Sequence, residues 1–300
     1  MSPASSMLLI INPVAGKMRA KSYCLPALFP TWRVTEYYTK DGILTEEYVK
    51  ENAAFFDALV CVGGDGTLNR VINGLMRVKN PPPLGYLPAG TTNDFAAALG
   101  IPRDIPSAAE AILHGTPQSI DIGSFNNRFF SYVASFGLFT NSSYNAPQQA
   151  KNRLGHLAYV LEALRDFSGL APHRLTLETE DDTISGNFIF GAVSNSTSLG
   201  GLLRLPARDV SYHDGLFEVL LIPMPKSAQD LQQIVFSLVR QQYDPDYIRF
   251  FKTRRIRIRT ETALSWSLDG EFEPGAKRIE IQNHHGAISI ITNKKENSHA

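Results

Sequence analysis

Apolar residues run unbroken from Met7 to Ile11 and from Ala58 to Val62. Continuous apolar runs of this length predict strands buried on both faces. Arg33 to Tyr38 reads as a further strand ending at Thr39, and Leu84 to Leu87 as another, closed by Pro88-Ala89-Gly90. Between the strands the period changes. Thr45 to Asn52 reads as helix, and Leu68, Val71, Ile72, Leu75 and Met76 recur at helical spacing until Pro81-Pro82-Pro83 breaks the pattern. Thr91 to Asp94 offers N-cap residues for a helix from Phe95 to Leu99, and Gly100 with Pro102 supplies its stop. Strand and helix in alternation predict a doubly wound α/β domain, a parallel sheet with helices on both faces.

From about residue 119 the texture turns β-rich. Ser119 to Phe125 and Arg128 to Ala134 are strand candidates joined at Asn126-Asn127, a hairpin signal. Further candidates are Arg174 to Glu178, Asn187 to Val193, Leu216 to Ile222, Arg254 to Thr260, Leu264 to Leu268, Arg278 to Gln282 and Ala287 to Thr292. His284-His285 reads as a hairpin turn between the last two. Two helices interrupt the series: Leu154 to Phe167, with an apolar stripe through Leu157, Ala158, Leu161 and Leu164, and Ala228 to Gln241. This spacing predicts a β-sandwich or barrel. We place the boundary at residue 122, giving domains 1–122 and 123–300, with the last segment a candidate to pack back on the first.

Composition narrows the partners. A chain of 300 residues accommodates two domains, and its 29 Lys and Arg against 29 Asp and Glu argue against a general nucleic-acid binder. The two cysteines, Cys24 and Cys61, are far apart and Cys61 lies in an apolar run, which suits a reducing compartment better than a disulfide framework. The N-terminus lacks the features of a signal peptide. No stretch approaches the roughly 18 apolar residues of a membrane span.

The chemistry gathers at Gly63-Gly64-Asp65-Gly66-Thr67, where a strand enters a glycine cluster and leaves as a helix. Glycines let the backbone approach phosphates, and the helix N-terminus presents N–H groups to the anion. Thr67 is a candidate helix cap. No Lys-Ser/Thr follows the last glycine, so this is not a Walker A loop. A carboxylate among phosphates repels them unless a cation lies between, so Asp65 implies Mg²⁺. The competing reading is a tight turn with Asp65 as a simple cap.

These motifs together resemble the catalytic domain of the diacylglycerol kinase family, especially its soluble bacterial lipid kinases. The resemblance runs through Asn12-Pro13-Val14-Ala15-Gly16, Thr39, Gly63 to Asn69, Leu87 to Ala96, Ile120-Asp121-Ile122-Gly123, Asp214-Gly215 and Asp269-Gly270-Glu271. The glycine loop alone is shared with NAD kinases and, more distantly, phosphofructokinases.

The resemblance implies ATP at Asn12, Thr39, Gly63, Gly64, Asp65, Gly66, Thr67, Leu68, Asn69 and Thr91. It implies an acidic network of Asp65, Asp94 and Asp121, expected at one sheet edge and around Mg²⁺. Glu271 is the expected base for the lipid hydroxyl, with the reaction in an interdomain cleft. Ser211, Asp214 and Leu216 resemble a structural Mg²⁺ site, an Asp-Gly turn being the alternative. Asp94 as an N-cap and Asp269 as a structural turn residue are likewise open.

The implied protein is cytoplasmic, peripheral to the membrane and compatible with a homodimer. The lipid is most readily diacylglycerol, converted to phosphatidic acid. A kinase of a soluble hydroxyl such as NAD is one alternative. A nucleotide- or lipid-binding regulator with weak catalysis is another, motivated by Arg70, which stands where the family usually has glutamate. The segment after Thr39, Lys40-Asp41-Gly42-Ile43, also departs from the family signature. Leu199 to Leu203 and the 154–167 helix are candidate lipid contacts, and Arg254, Arg255, Arg257 and Arg259 a candidate basic face for anionic headgroups.

Overall fold

Two apolar runs form the centre of the first half. β1 (Ser6–Ile11) and β3 (Ala58–Gly63) are buried at every residue, as unalternating apolar strands must be. With β2 (Arg33–Tyr38) and β4 (Leu84–Pro88) they pair in parallel in the order β2-β1-β3-β4. The computed structural model describes residues 5–16, 18, 24–138, 171–199 and 203–293. These divide between two compact units, Met1–Ile122 with His285–Ala300, and Gly123–His284.

Helices alternate with the strands of the first unit. α1 (Gly42–Asn52) starts before Thr45 because the Asp41 carboxylate accepts from the N–H groups of Ile43 and Leu44. α2 (Asp65–Leu75) follows the glycine loop, and α3 (Asp94–Leu99) ends at Gly100, whose φ of 69° is left-handed. α4 (Ile105–His114) was not foreseen. Gly100 and Pro102 read as stops, but Asp104 restarts the helix by accepting from Ser107 N–H at 2.9 Å, with Pro106 in the first turn where no donor is needed. β5 (Thr116–Phe125) begins in this unit, and the chain leaves it after Ile122.

The second unit is antiparallel. Its strands are β6 (Arg128–Phe130), β7 (Val133–Gly137), β8 (His173–Glu178), β9 (Thr183–Ser194), the short β10 (Ser198–Leu199) and β11 (Leu203–Arg204), β12 (Phe217–Pro223), β13 (Arg249–Thr253), β14 (Arg255–Leu268) and most of β15 (Glu271–Thr292). The ladder runs β13-β12-β9-β7-β14-β15, and β8 pairs with both β9 and β14. α5 (Ala228–Arg240) starts at Ser227, which accepts from Asp230 N–H. The core is aromatic: Trp266 lies 4.8 Å from Phe136 and 5.2 Å from Phe125, ring centre to ring centre.

Several boundaries differ from the sequence reading, each for a visible reason. The single strand expected from Arg128 to Ala134 is broken at Ser131-Tyr132, whose N–H groups turn to the Asp269 carboxylate instead of a neighbouring strand. Arg254 to Thr260 and Leu264 to Leu268 are one strand whose register shifts between Arg259 and Leu264. His284-His285 is not a hairpin turn. Both residues lie inside β15, His284 with its ring 2.9 Å from Ser124 Oγ and His285 bonded to Asp121. The 154–167 helix, Gly200-Gly201-Leu202 and the tail from Lys294 lie outside the described residues. Among the described residues no helix is long and apolar enough to cross a membrane.

Candidate active site

The glycine loop is built by two backbones touching. A Cβ placed on Gly90 would lie 2.5 Å from the Cα of Gly64, so glycine at 90 is what lets the turn after β4 meet the turn after β3. Ala89 N–H donates to Gly63 O at 2.7 Å. Asn93, buried and left-handed at φ 54°, holds this contact: its Oδ1 accepts from Gly90 N–H at 3.0 Å and its Nδ2 donates to Gly90 O at 2.9 Å. The Tyr86 hydroxyl lies 3.2 Å from both Gly63 O and Asn93 Oδ1, one donor shared by two acceptors.

The start of α2 is open in the way an anion site requires. Its N-cap is Gly64, and no side chain caps it. Thr67, the expected cap, instead accepts from Asn12 Nδ2 at 2.9 Å and ties the first turn of α2 to the loop after β1. Asn12 is fixed by its N–H to Val62 O at 2.9 Å, and Thr39 by its N–H to Ile11 O at 2.8 Å. Asn12 and Thr39 thus follow the C-terminal ends of β1 and β2, and the glycine loop follows β3. Ligands gather at such ends of parallel strands. Thr91 is exposed just beyond Gly90. Leu68 and Asn69 are each 1% exposed, so the expected nucleotide contacts at these positions fall on core residues.

Asp65 and Asp94 come together. The Asp65 carboxylate accepts from the N–H groups of Asp94 at 3.2 Å and Phe95 at 3.3 Å, so it is Asp65 that caps α3, while Asp94 is the first helical residue and Asn93 the N-cap position. Burial pushes the Tyr86 phenol up, and the charges of Asp65 and Asp94 push it further. Burial and then Asp65 raise the Cys61 thiol as well. Two carboxylates beside a turn with open helix donors fit Mg²⁺ as it is usually bound, by one or two carboxylates together with substrate phosphates.

Asp121 sits inside a strand, not at its end. It lies in the middle of β5, fully buried, and its Oδ1 meets His285 Nδ1 at 2.9 Å and Gly286 N–H at 2.8 Å. Among the described residues no three His, Cys, Asp or Glu side chains gather closely enough to hold a metal ion directly. Asp121 was expected at a strand end; β5 runs from Thr116 to Phe125 and places it inside the strand.

In the second unit Asp269 is structural. It is 4% exposed and its carboxylate takes four donors: Ser131 N–H and Oγ, Tyr132 N–H and Val133 N–H. Asp269 at φ 51° and Gly270 at φ 86° make a two-residue hairpin, with Leu268 paired to Glu271. Glu271 leaves this anchored turn exposed.

The Asp214 turn is complete without a metal. Asp214 Oδ1 accepts from Leu216 N–H at 3.0 Å, and Oδ2 lies 3.2 Å from Lys252 Nζ. The same ammonium is 3.2 Å from Glu218 Oε1, a buried carboxyl that burial raises to about 7 against the pull of Lys252. A divalent ion at Ser211, Asp214 and Leu216 would share its one carboxylate with a lysine, which fits it poorly.

Arg70 points neither at phosphate nor at open solvent: its guanidinium donates to Glu46 Oε1 at 2.7 Å. The basic face of β14 is neutralised in part, Arg255 by Glu280 and Arg259 by Glu178.

Comparison with known proteins agrees with this geometry. Residues 6–125 match the Diacylglycerol kinase catalytic domain, and residues 135–292 match the YegS C-terminal NAD kinase beta sandwich-like domain. A diacylglycerol kinase of Bacillus subtilis strain 168 is 32% identical over 96% of both chains. One from Staphylococcus epidermidis RP62A is 31% identical over 95% of this chain and 92% of its own. A solved structure of a diacylglycerol kinase from Bacillus anthracis Sterne aligns over 98% of each chain at a TM-score of 0.74; at 22% identity it speaks for the fold alone. By these matches along nearly its whole length, the chain belongs to the diacylglycerol kinase catalytic-domain family.

Proposed function

We propose that the protein transfers the γ-phosphate of ATP to a lipid hydroxyl, diacylglycerol being the substrate and phosphatidic acid the product. The observation that carries this is the glycine turn whose uncapped helix start stands beside Asp65 and Asp94, in a chain 32% identical over 96% of its length to a diacylglycerol kinase.

ATP lies with its phosphates against the start of α2, in reach of Asn12, Thr39, Gly63 to Thr67 and Thr91. Mg²⁺, when bound there by Asp65 and Asp94, neutralises charge on the phosphates. Asn93 and Tyr86 keep Gly90 against Gly64 and so keep the loop in shape to receive them. Glu271 accepts the proton of the attacking hydroxyl, and an ordinary carboxylate suffices for that step. Asp269 serves the reaction only by anchoring the turn that presents Glu271. Asp121, bonded to His285 and Gly286, orders the middle of β5 against β15. The lipid is reached at a membrane surface, with the protein bound peripherally.

The test is direct. Purified protein is incubated with labelled ATP, Mg²⁺ and mixed micelles carrying diacylglycerol, phosphatidylglycerol, a sphingoid base or a polyprenol, with NAD in a parallel tube. Label in diacylglycerol is the expected result. Label in NAD alone would overturn the lipid reading, and ATP binding without transfer to any acceptor would favour a regulator.

A further inference from the structure

The residue that departs from the family pattern beside the glycine loop has a specific place. α1 and α2 cross closely because Gly74 on α2 carries no side chain: a Cβ there would lie 2.7 Å from Val49 Cβ and 2.8 Å from Glu46 O. One turn earlier on α2, Arg70 reaches back to the same stretch of α1. Its NH1 is 2.7 Å from Glu46 Oε1, and its Nε lies over Gly42, where a Cβ would come within 2.9 Å. Positions 42, 46 and 49 form one row on α1, and 70 and 74 the facing row on α2, the spacing at which helical side chains share a face. Arg77 adds weaker contacts, 3.7 Å to Glu46 and 3.2 Å to Glu47.

The pair is more than a surface ion pair. The Glu46 side chain is only 11% exposed and the Arg70 side chain 31%, so the pair is partly shielded from water and its geometry is constrained by the packed glycine. What it joins is also particular. Gly42 opens α1, three residues after Thr39, and Arg70 lies five residues after Asp65, which opens α2. These two helix starts carry the two halves of the nucleotide subsite, the Thr39 side and the Gly63 to Thr67 side. Gly42, in the segment after Thr39 that departs from the family signature, and Arg70, the departing residue after Asn69, touch each other.

We propose that Arg70 is a positioning residue for nucleotide binding, holding the start of α2 against the start of α1 through Glu46 and across the bare face of Gly42. It touches no reacting atom. It sets the spacing between Thr39 and the phosphate loop, so its loss is felt in ATP affinity and not in the chemical step or in lipid affinity. The proposal rests on the nucleotide reading of the glycine loop.

The experiment uses the full chain and four variants: Arg70→Glu, Glu46→Arg, the double exchange of both, and Gly42→Ala. ATP binding is measured by calorimetry, kinetics with diacylglycerol micelles give KM and kcat, and melting gives Tm. Arg70→Glu sets two carboxylates face to face and is expected to raise the Kd and KM for ATP about tenfold, within the usual range of coupling between linked sites. Under saturating ATP, kcat and the KM for lipid should stay within about twofold of the parent, since only ground-state nucleotide binding is lost. The double exchange restores the pair with its sign reversed and should recover most of the ATP affinity. Gly42→Ala displaces Arg70 without changing any charge and should weaken ATP binding to a smaller degree. Parent-like ATP affinity in Arg70→Glu, with only Tm lowered, would overturn the proposal and leave a plain structural brace. So would an ATP affinity that falls but is not recovered by the double exchange although that variant melts like the parent. If the parent itself binds no ATP, the nucleotide reading of the loop falls, and this inference falls with it.

Discussion

Asp65-Gly66 and Asp269-Gly270 are the same dipeptide used in opposite ways. The first stands at the start of a helix, with Asp65 and Gly66 as its opening residues. The second is a hairpin turn with both residues left-handed. In both, the aspartate accepts backbone N–H groups from a distant segment: Asp94 and Phe95 in one case, Ser131 to Val133 in the other. They differ in burial. Asp269 is saturated by four donors and buried, so its contribution is to hold a turn. Asp65 accepts from the N–H groups of Asp94 and Phe95 at 3.2 and 3.3 Å and stays partly exposed beside Asp94, so it caps α3 at a place solvent can reach. An Asp-Gly pair therefore says little by itself; the backbone it sits in and the burial of its carboxylate separate the two uses.

That contrast can be broken in order of effect. Glu271→Gln, beside the saturated turn, should lower turnover by about a hundred- to ten-thousandfold with ATP affinity unchanged, the range expected for losing a general base. Calorimetry and initial rates on one preparation check it, and near-normal turnover would remove Glu271 from the role. Asp269→Ala strands four donors in a buried place and should cost about 3–5 kcal/mol of stability, the scale for breaking a buried charged partner, read from urea unfolding. Asp65→Asn keeps the shape and one acceptor but loses the charge. It should cost under about 1 kcal/mol of stability as a weakened cap, yet raise the Mg²⁺ concentration needed for half-maximal rate. A stability loss as large as that of Asp269→Ala, with unaltered Mg²⁺ dependence, would make the two aspartates alike after all. Tyr86→Phe removes a hydroxyl shared by two acceptors and should cost about 1 kcal/mol, with rates within about threefold of the parent.

Much of the first unit could be read from its residues. Apolar runs with no alternation can only be buried strands, and β1 and β3 are such runs. The glycine turn was legible because its signal is local: a strand end, a glycine cluster and a helix start lie within ten residues, while its contact with Gly90 is not. What escaped was non-local. Nothing within reach of Asp121 announces that its partners are His285 and Gly286, some 164 residues away. Nor does Ser131-Tyr132 show in sequence that Asp269 will draw off its N–H groups and break a strand. Arg70 was legible as a departure but not as a pair, since Glu46 sits on a different helix. Most of the second unit's strands were foreseen, though not β10, β11 or β13; β14 and β15 were cut short because they continue through register shifts and a left-handed glycine that sequence alone reads as ends.

The first unit is closed by the far end of the chain. Ile290 pairs with Leu84 beside β4, and Thr292 Oγ1 donates to the Gln118 side chain at 3.3 Å. During synthesis the segment that completes this unit is made after all of the second unit. The nucleotide-binding half therefore waits, with the edge of β4 uncovered, through the folding of its neighbour. An exposed parallel edge is open to wrong pairing. A chain stopped before His285 would have every residue of the glycine turn and still lack the strand that pairs with β4.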